Sequence, residues 1–219
     1  MNNQSESIET IRDIRRMMER SSRFISLSGL SGVSAGLCAL AGAWIAYPYV
    51  YGLKDYIINP EAAVVQAMAA DYSILLNTWL FWIALGTFLS ALISAFIFTW
   101  IKSKKEGIPV WGNSSKRVLF SVGLPMVVGG LFLFRLLDFG TFGLVAPACL
   151  IFYGLGLVNA AKYTLSEIKY LGYTEIVLGI ISMWFIGYGL YFWAIGFGLM
   201  HIVYGIWMWF KYDYKKQQA

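Results

Sequence analysis

Charge is what this sequence has least of. Only 13% of its 219 residues are Asp, Glu, Lys or Arg, where a soluble domain carries roughly 25%. The shortage excludes an ordinary water-soluble globule, and so do the 58% hydrophobic composition and the mean hydropathy of +0.62. Histidine occurs once, at His201, so a histidine-built metal centre has no second ring to draw on. The two cysteines, Cys38 and Cys149, lie inside apolar runs with no partner at metal spacing. Each reads as a small buried hydrophobe, and no metal site is expected. There is no H-E-x-x-H, G-x-S-x-G or phosphate-cradling glycine loop, and no paired intramembrane Asp. The expectation is a protein without enzymatic chemistry and without a cofactor.

What is present is a set of long apolar runs. Six are drawn: Phe24 to Tyr47, Ile74 to Ile101, Val118 to Leu137, Phe142 to Ala161, Thr174 to Tyr191 and Ala194 to Phe210. Each is long enough, or nearly so, to cross a hydrocarbon core of about 30 Å at 1.5 Å per residue. No polar loop divides the last two. Gly187, Gly189, Gly196 and Gly198 bracket the expected tight turn.

The basic residues fall almost entirely in alternate gaps. Five arginines, Arg12 to Arg23, precede the first run. Lys102, Lys104, Lys105, Lys116 and Arg117 follow the second. Lys162 and Lys169 follow the fourth, and Lys211, Lys215 and Lys216 follow the sixth. The other side carries Lys54, with Arg135 close to that face. By the positive-inside bias both termini are cytoplasmic, which requires an even number of spans. The net charge of +5 is thus spent on orientation, and no nucleic-acid partner is expected. Trp44, Tyr47, Trp79, Trp100 and Trp207 stand near run ends, where an amphipathic ring favours the interface.

The expected organisation is an all-α, polytopic transmembrane bundle of six spans, N-in and C-in. Residues 1–23 form a cytoplasmic segment with an amphipathic helix, residues 24–210 the membrane domain, and residues 211–219 a basic cytoplasmic tail. Ile8, Ile11, Ile14 and Met18 recur at helical spacing. Residues 7–22 therefore read either as a lead-in helix lying on the bundle's own loops or as a dock for a cytoplasmic protein partner. From Asn59-Pro60-Glu61 no helix breaker occurs before Gly107, so the second span is expected to extend outward as one long helix. Ser28, Gly32 and Gly36 make a small-xxx-small face in span one. That face serves either a central place in the bundle, which is preferred, or a homo-oligomer seam. The lipid bilayer itself is the first partner.

Five polar residues in the spans are candidate ligand contacts. Arg135 and Asp138 stand at i,i+3 near the outer end of span three. His201, inside span six, is either a proton relay or a neutral ring hydrogen-bonded between helices. No carboxylate is expected at its depth, because Glu175 is placed in the first turn of span five. Asn77 and Asn159 read as interhelical hydrogen-bonding residues. Gly154-Leu-Gly156-Leu-Val-Asn159 echoes Gly196-Phe-Gly198-Leu-Met-His201. The echo is read as shared helix-packing glycines, since Asn159 and His201 differ in depth by about 10 Å.

Two stretches carry a resemblance. One is Arg15-Arg-Met-Met-Glu-Arg-Ser-Ser-Arg-Phe-Ile-Ser-Leu-Ser-Gly-Leu-Ser-Gly32. The other is Lys162-Tyr-Thr-Leu-Ser-Glu-Ile-Lys-Tyr-Leu-Gly-Tyr173, with Gly187-Tyr-Gly189 and Phe197-Gly-Leu-Met-His201. Together they resemble an uncharacterised family of bacterial, mainly Bacteroidota, six-span integral membrane proteins. The resemblance implies a bacterial inner-membrane location and no chemistry. A regulatory, sensing or scaffold role is the leading expectation, with a small transporter or channel as the alternative.

Overall fold

The computed structural model describes residues 28–52, 79–107 and 110–214. The amphipathic helix expected at residues 7–22, the outward extension from Asn59, and Asn77 lie outside the described residues. What is described is all-helical: α1 Gly29–Gly52, α2 Trp79–Glu106, α3 Asn113–Asp138, α4 Val145–Ala160 and α5 Ile168–Ser182, followed by α6, Gly189–Asp213. A short 3-10 turn, Phe142–Leu144, leads into α4. Five of these helices, all but α5, are long and apolar enough to cross a membrane, α4 when counted with its lead-in turn. This is the pattern of a multi-pass membrane protein.

The helix ends have local causes. Gly107 and Gly140 adopt φ of +66° and +67° just past α2 and α3, a left-handed cap that only glycine takes without strain. Ser115 Oγ accepts a 2.7 Å hydrogen bond from the Gly112 N–H at the start of α3. Between α5 and α6 the chain turns at Met183–Tyr188, where Gly187 has φ +95°. The turn between the last two helices thus comes earlier than the glycines suggested. The fifth helix runs over Ile168–Ser182, not Thr174 to Tyr191. Gly196 and Gly198 sit within α6, because glycine in an apolar helix serves close packing and need not break it.

Packing runs as a row. α2 lies on α1, α1 on α6, α6 on α4 and α5, and α3 on α4. Glycine sets the spacing at the α1–α6 seam and at the seam between α4 and α5. A Cβ on Gly36 of α1 would stand 2.6 Å from the Gly198 carbonyl oxygen of α6. One on Gly205 of α6 would stand 2.6 Å from the Gly29 carbonyl. Gly154 of α4 and Gly172 of α5 face each other equally closely, 2.6 Å to the Gly172 carbonyl. The small-residue face of span one thus meets α6 of its own chain, as the intramolecular reading expected. The glycine echo resolves the same way: Gly154 meets α5, Gly156 meets Val122 of α3, Gly196 meets α5 and Gly198 meets Leu40 of α1. Large apolar side chains point the other way. Phe88, Leu92 and Phe96 of α2 and Val177, Ile180 and Ile181 of α5 are exposed, as helices facing lipid require.

The glycine contacts make a graded prediction. Gly36→Val places a branched side chain on the α6 backbone and should cost about 1–3 kcal/mol. Gly86→Ala, where a Cβ would meet nothing within 4 Å, should be neutral or stabilising by up to about 1 kcal/mol. Unfolding of the full chain in detergent, read by the loss of helical signal, distinguishes the two.

Candidate functional site

α5 is the shortest helix of the bundle, and its inward face is unusual. Ile168, Leu171, Gly172, Glu175, Gly179 and Ser182 are its buried residues, an i, i+3, i+4, i+7 stripe. Glu175 lies midway along it and has no exposed surface. It was expected in the first turn of span five. The helix begins at Ile168, six residues before the expected Thr174, which sets Glu175 about 9 Å further along the helix from its start. There it reaches His201.

His201 is buried on α6. The seven residues before it, Ala194–Met200, form a π-helical turn. In such a turn the carbonyl of residue i faces residue i+5, and the Gly196 carbonyl oxygen lies 3.0 Å from His201 Nδ1. A carbonyl only accepts, so Nδ1 carries the hydrogen. On the other side of the ring, Nε2 lies 2.8 Å from the Tyr153 hydroxyl of α4. The rings of Tyr153 and Phe197 flank the imidazole at 5.4 and 6.0 Å between centroids. Glu175 Oε1 approaches Nδ1 to 3.4 Å, yet neither of its carboxyl oxygens accepts or makes a hydrogen bond. Gly196 leaves room for this carboxyl, since a Cβ there would strike Glu175 Oε2. Three helices thus meet at one polar point in an apolar interior. His201 was expected as a candidate; Glu175 and Tyr153 as its partners were missed. The signal was available in Gly172 and Gly179, which flank Glu175 at helical spacing and mark its face as a close-packed one.

Asn159 is explained by a different seam. Pro125 interrupts α3 and has no N–H for the carbonyl four residues back, which is that of Ser121. Asn159 Nδ2 of α4 donates to the Ser121 carbonyl at 3.1 Å. It replaces the lost helical bond, which lipid cannot do. Arg135 and Asp138 pair with each other at 3.2 Å, and the Arg135 guanidinium lies 4.2 Å from the Phe139 ring centre. They stand at the end of α3, and neither makes a hydrogen bond or ion pair with His201.

Two acid-centred clasps close the basic end. Asp213 forms an ion pair with Lys102 of α2 at 2.6 Å and accepts the Gly29 N–H, the first amide of α1, at 3.2 Å. Glu167, just before α5, accepts hydrogen bonds from Lys211 and Tyr212 of α6, both at 2.6 Å. Burial pushes the Glu167 carboxyl up, but the bonds from Lys211, Tyr212 and the backbone outweigh it and hold it down at about 2. Shallow grooves beside these clasps are lined by Lys169, Tyr170 and Trp207, and by Lys116, Arg117 and Tyr163. Among the described residues no group of three His, Cys, Asp or Glu side chains could hold a metal ion. No family model, curated protein or solved structure matches the chain.

Two predictions follow from these partners. The Glu167 carboxyl is depressed in the folded state, so its stabilisation is full above the ordinary value of 4.5 and is lost as pH falls toward about 2. Wild type should lose thermal stability between about pH 5 and about pH 3, and Glu167→Gln should lose less over the same range. For the α3–α4 seam, Asn159→Leu should cost about 1–2 kcal/mol by orphaning the Ser121 carbonyl. In a Pro125→Ala background, where the helical bond is restored, the same change should cost measurably less. A double-mutant cycle on unfolding free energy reads the coupling.

Proposed function

We propose that this chain is a six-span protein of the bacterial cytoplasmic membrane, with both termini inside, whose role is non-enzymatic and is exerted by sensing or regulation through the helix bundle. The alternating lysines and arginines support the orientation. α5 is counted as the sixth span because its exposed apolar face, with Val177, Ile180 and Ile181, suits lipid while its buried face, which carries Glu175 and Ser182, is covered by α4 and α6. The observation that carries the functional reading is that the ionisable groups sit in separate pairs, one buried and one at the surface. Glu175 and His201 face each other between packed helices. Arg135 and Asp138 pair apart from them. Groups that lined a solute path would instead converge on a shared cavity.

A second reading, a small transporter or channel, is favoured by one observation. Glu175 is fully buried with both oxygens lacking a hydrogen-bond partner, as a coordinating carboxylate would be.

Reconstitution of the full chain in liposomes separates the two. On the leading reading, dye-reported fluxes of protons, sodium and potassium equal those of protein-free vesicles. A protein-dependent flux abolished by Glu175→Gln would replace it with the transporter reading. Reporter fusions at each terminus should both report the cytoplasm; a C-terminal fusion reporting the outside would overturn the six-span topology.

A further inference from the structure

We infer that Glu175 and His201 form a binding site for a single proton across the α5–α6 seam, closed on the α4 side by Tyr153. The inference rests on the sensing reading and names what is sensed.

The donors and acceptors carry the argument. The hydrogen on Nδ1 is committed to the Gly196 carbonyl at 3.0 Å. The Tyr153 hydroxyl, 2.8 Å from Nε2, can donate or accept, so it suits either state of that nitrogen. The Glu175 oxygens meet no donor, and the imidazole stands 3.4 Å away. Two arrangements then hold the same number of protons. In one, the proton is on the Glu175 carboxyl, and Nε2 accepts from Tyr153. In the other, it is on Nε2, which donates to the Tyr153 oxygen, while Nδ1–H faces a carboxylate. Both are neutral overall, and they differ only in where one proton sits. Removing that proton leaves a lone carboxylate. Adding a second leaves an imidazolium beside an uncharged acid. Either outcome puts an uncompensated charge between apolar helices, where it lacks both water and a counter-charge.

No other group near the site can supply the compensation. From α4 the titratable side chain facing Glu175 is Tyr153; Cys149 is one turn away along the helix. From α6 it is His201, with Tyr204 one turn toward the basic end. At the basic end of the hairpin Glu167 and Lys211 neutralise each other at 2.6 Å, and Lys169 stands in the first turn of α5, six residues before Glu175. The seam is also mechanically tied to the site. Gly196 lies against the Glu175 carboxyl so closely that a methyl group would collide with it, and water has no room to solvate a charge unless α5 and α6 part. Two further hydroxyls, Ser182 on α5 and Tyr204 on α6, are buried without hydrogen-bond partners on the two sides of this point. They supply polar sites for water once the seam opens. Occupancy by one proton therefore keeps the α5–α6 hairpin closed, and its loss or doubling opens it.

Infrared difference spectroscopy on the full chain in lipid nanodiscs, combined with amide hydrogen exchange, tests this. Wild type should show a protonated-carboxyl band that disappears in Glu175→Gln and titrates with pH. In His201→Gln the midpoint of that band should move by at least about one pH unit. Exchange in α5 and α6 should speed by about tenfold or more when the site is charged. In the Glu175→Gln/His201→Gln double variant it should lack that pH-dependent step. Tyr153→Phe keeps both titrating groups and should shift the midpoint even if Glu175→Gln folds poorly. A band that survives Glu175→Gln, or one that titrates identically in wild type, His201→Gln and Tyr153→Phe, overturns the proton site. That failure is distinct from failure of the sensing reading, which the liposome fluxes decide separately.

Discussion

Where α6 crosses α1, the helices touch backbone to backbone: Gly205 against Gly29, and Gly36 against the Gly198 carbonyl. Lipid offers no hydrophobic drive for helix association, so close approach and dispersion must supply it, and glycine permits the closest approach. The other features of the bundle depend on this contact. It fixes the depth and rotation of α6. That in turn brings His201 to Tyr153 and Glu175, and Asp213 to the first amide of α1. A bulkier residue at this crossing would displace both ends of α6 together.

The same solvent explains where polar groups are found. A carbonyl deprived of its helical partner by Pro125 is met by Asn159, because no water is available to do so. Acids at the basic end are met by lysine, tyrosine or a helix amide. Lysines of the basic gaps are therefore also used as clasps: Lys102 holds α2 to Asp213, and Lys211 holds Glu167. A lysine suits this place because its long stem lies along apolar surface while its head reaches a helix end that is still unsatisfied.

Much of the helical pattern was legible in the sequence, because apolar runs and basic gaps report on lipid directly. The end of α2 followed from Gly107 by simple backbone sterics; Gly140 does the same just past α3 but was not singled out. The boundaries of α5 did not. Its first turn, Ile168-Lys169-Tyr170, reads as a polar loop, and Gly196 and Gly198 read as a turn. In water those glycines would weaken a helix; against another membrane helix they are its contact surface. That misreading hid the site as well. Starting α5 six residues earlier, at Ile168 and not Thr174, changes Glu175 from a helix-end carboxylate into the partner of His201. The π-helical turn over Ala194–Met200 has no sequence signature of its own, so the aim of the Gly196 carbonyl at the imidazole could not have been foreseen. Asn159 as an interhelical donor was legible. Its cause, the carbonyl freed by Pro125, needs the two helices side by side.

The seams differ in how completely their polar atoms are satisfied, and the difference is informative. At α3–α4 the donor and the orphaned carbonyl match one to one. At the basic end of α1–α6 the first amide of α1 and an acid of α6 are matched. Along α5–α6 the match is incomplete: a carboxyl and two hydroxyls are buried without partners. Each such group costs free energy in proportion to its isolation, so a helix pair selected only for stability would replace them with leucine or glycine. The cost is concentrated on the shortest helix, which is held at one end by the Glu167 clasp and at the other by a glycine turn. A short element tied at both ends and strained in the middle can change its central packing without leaving the bundle. That combination concentrates the unmet polar groups on the α5–α6 hairpin and not on the better-satisfied α1–α6 crossing that supports it.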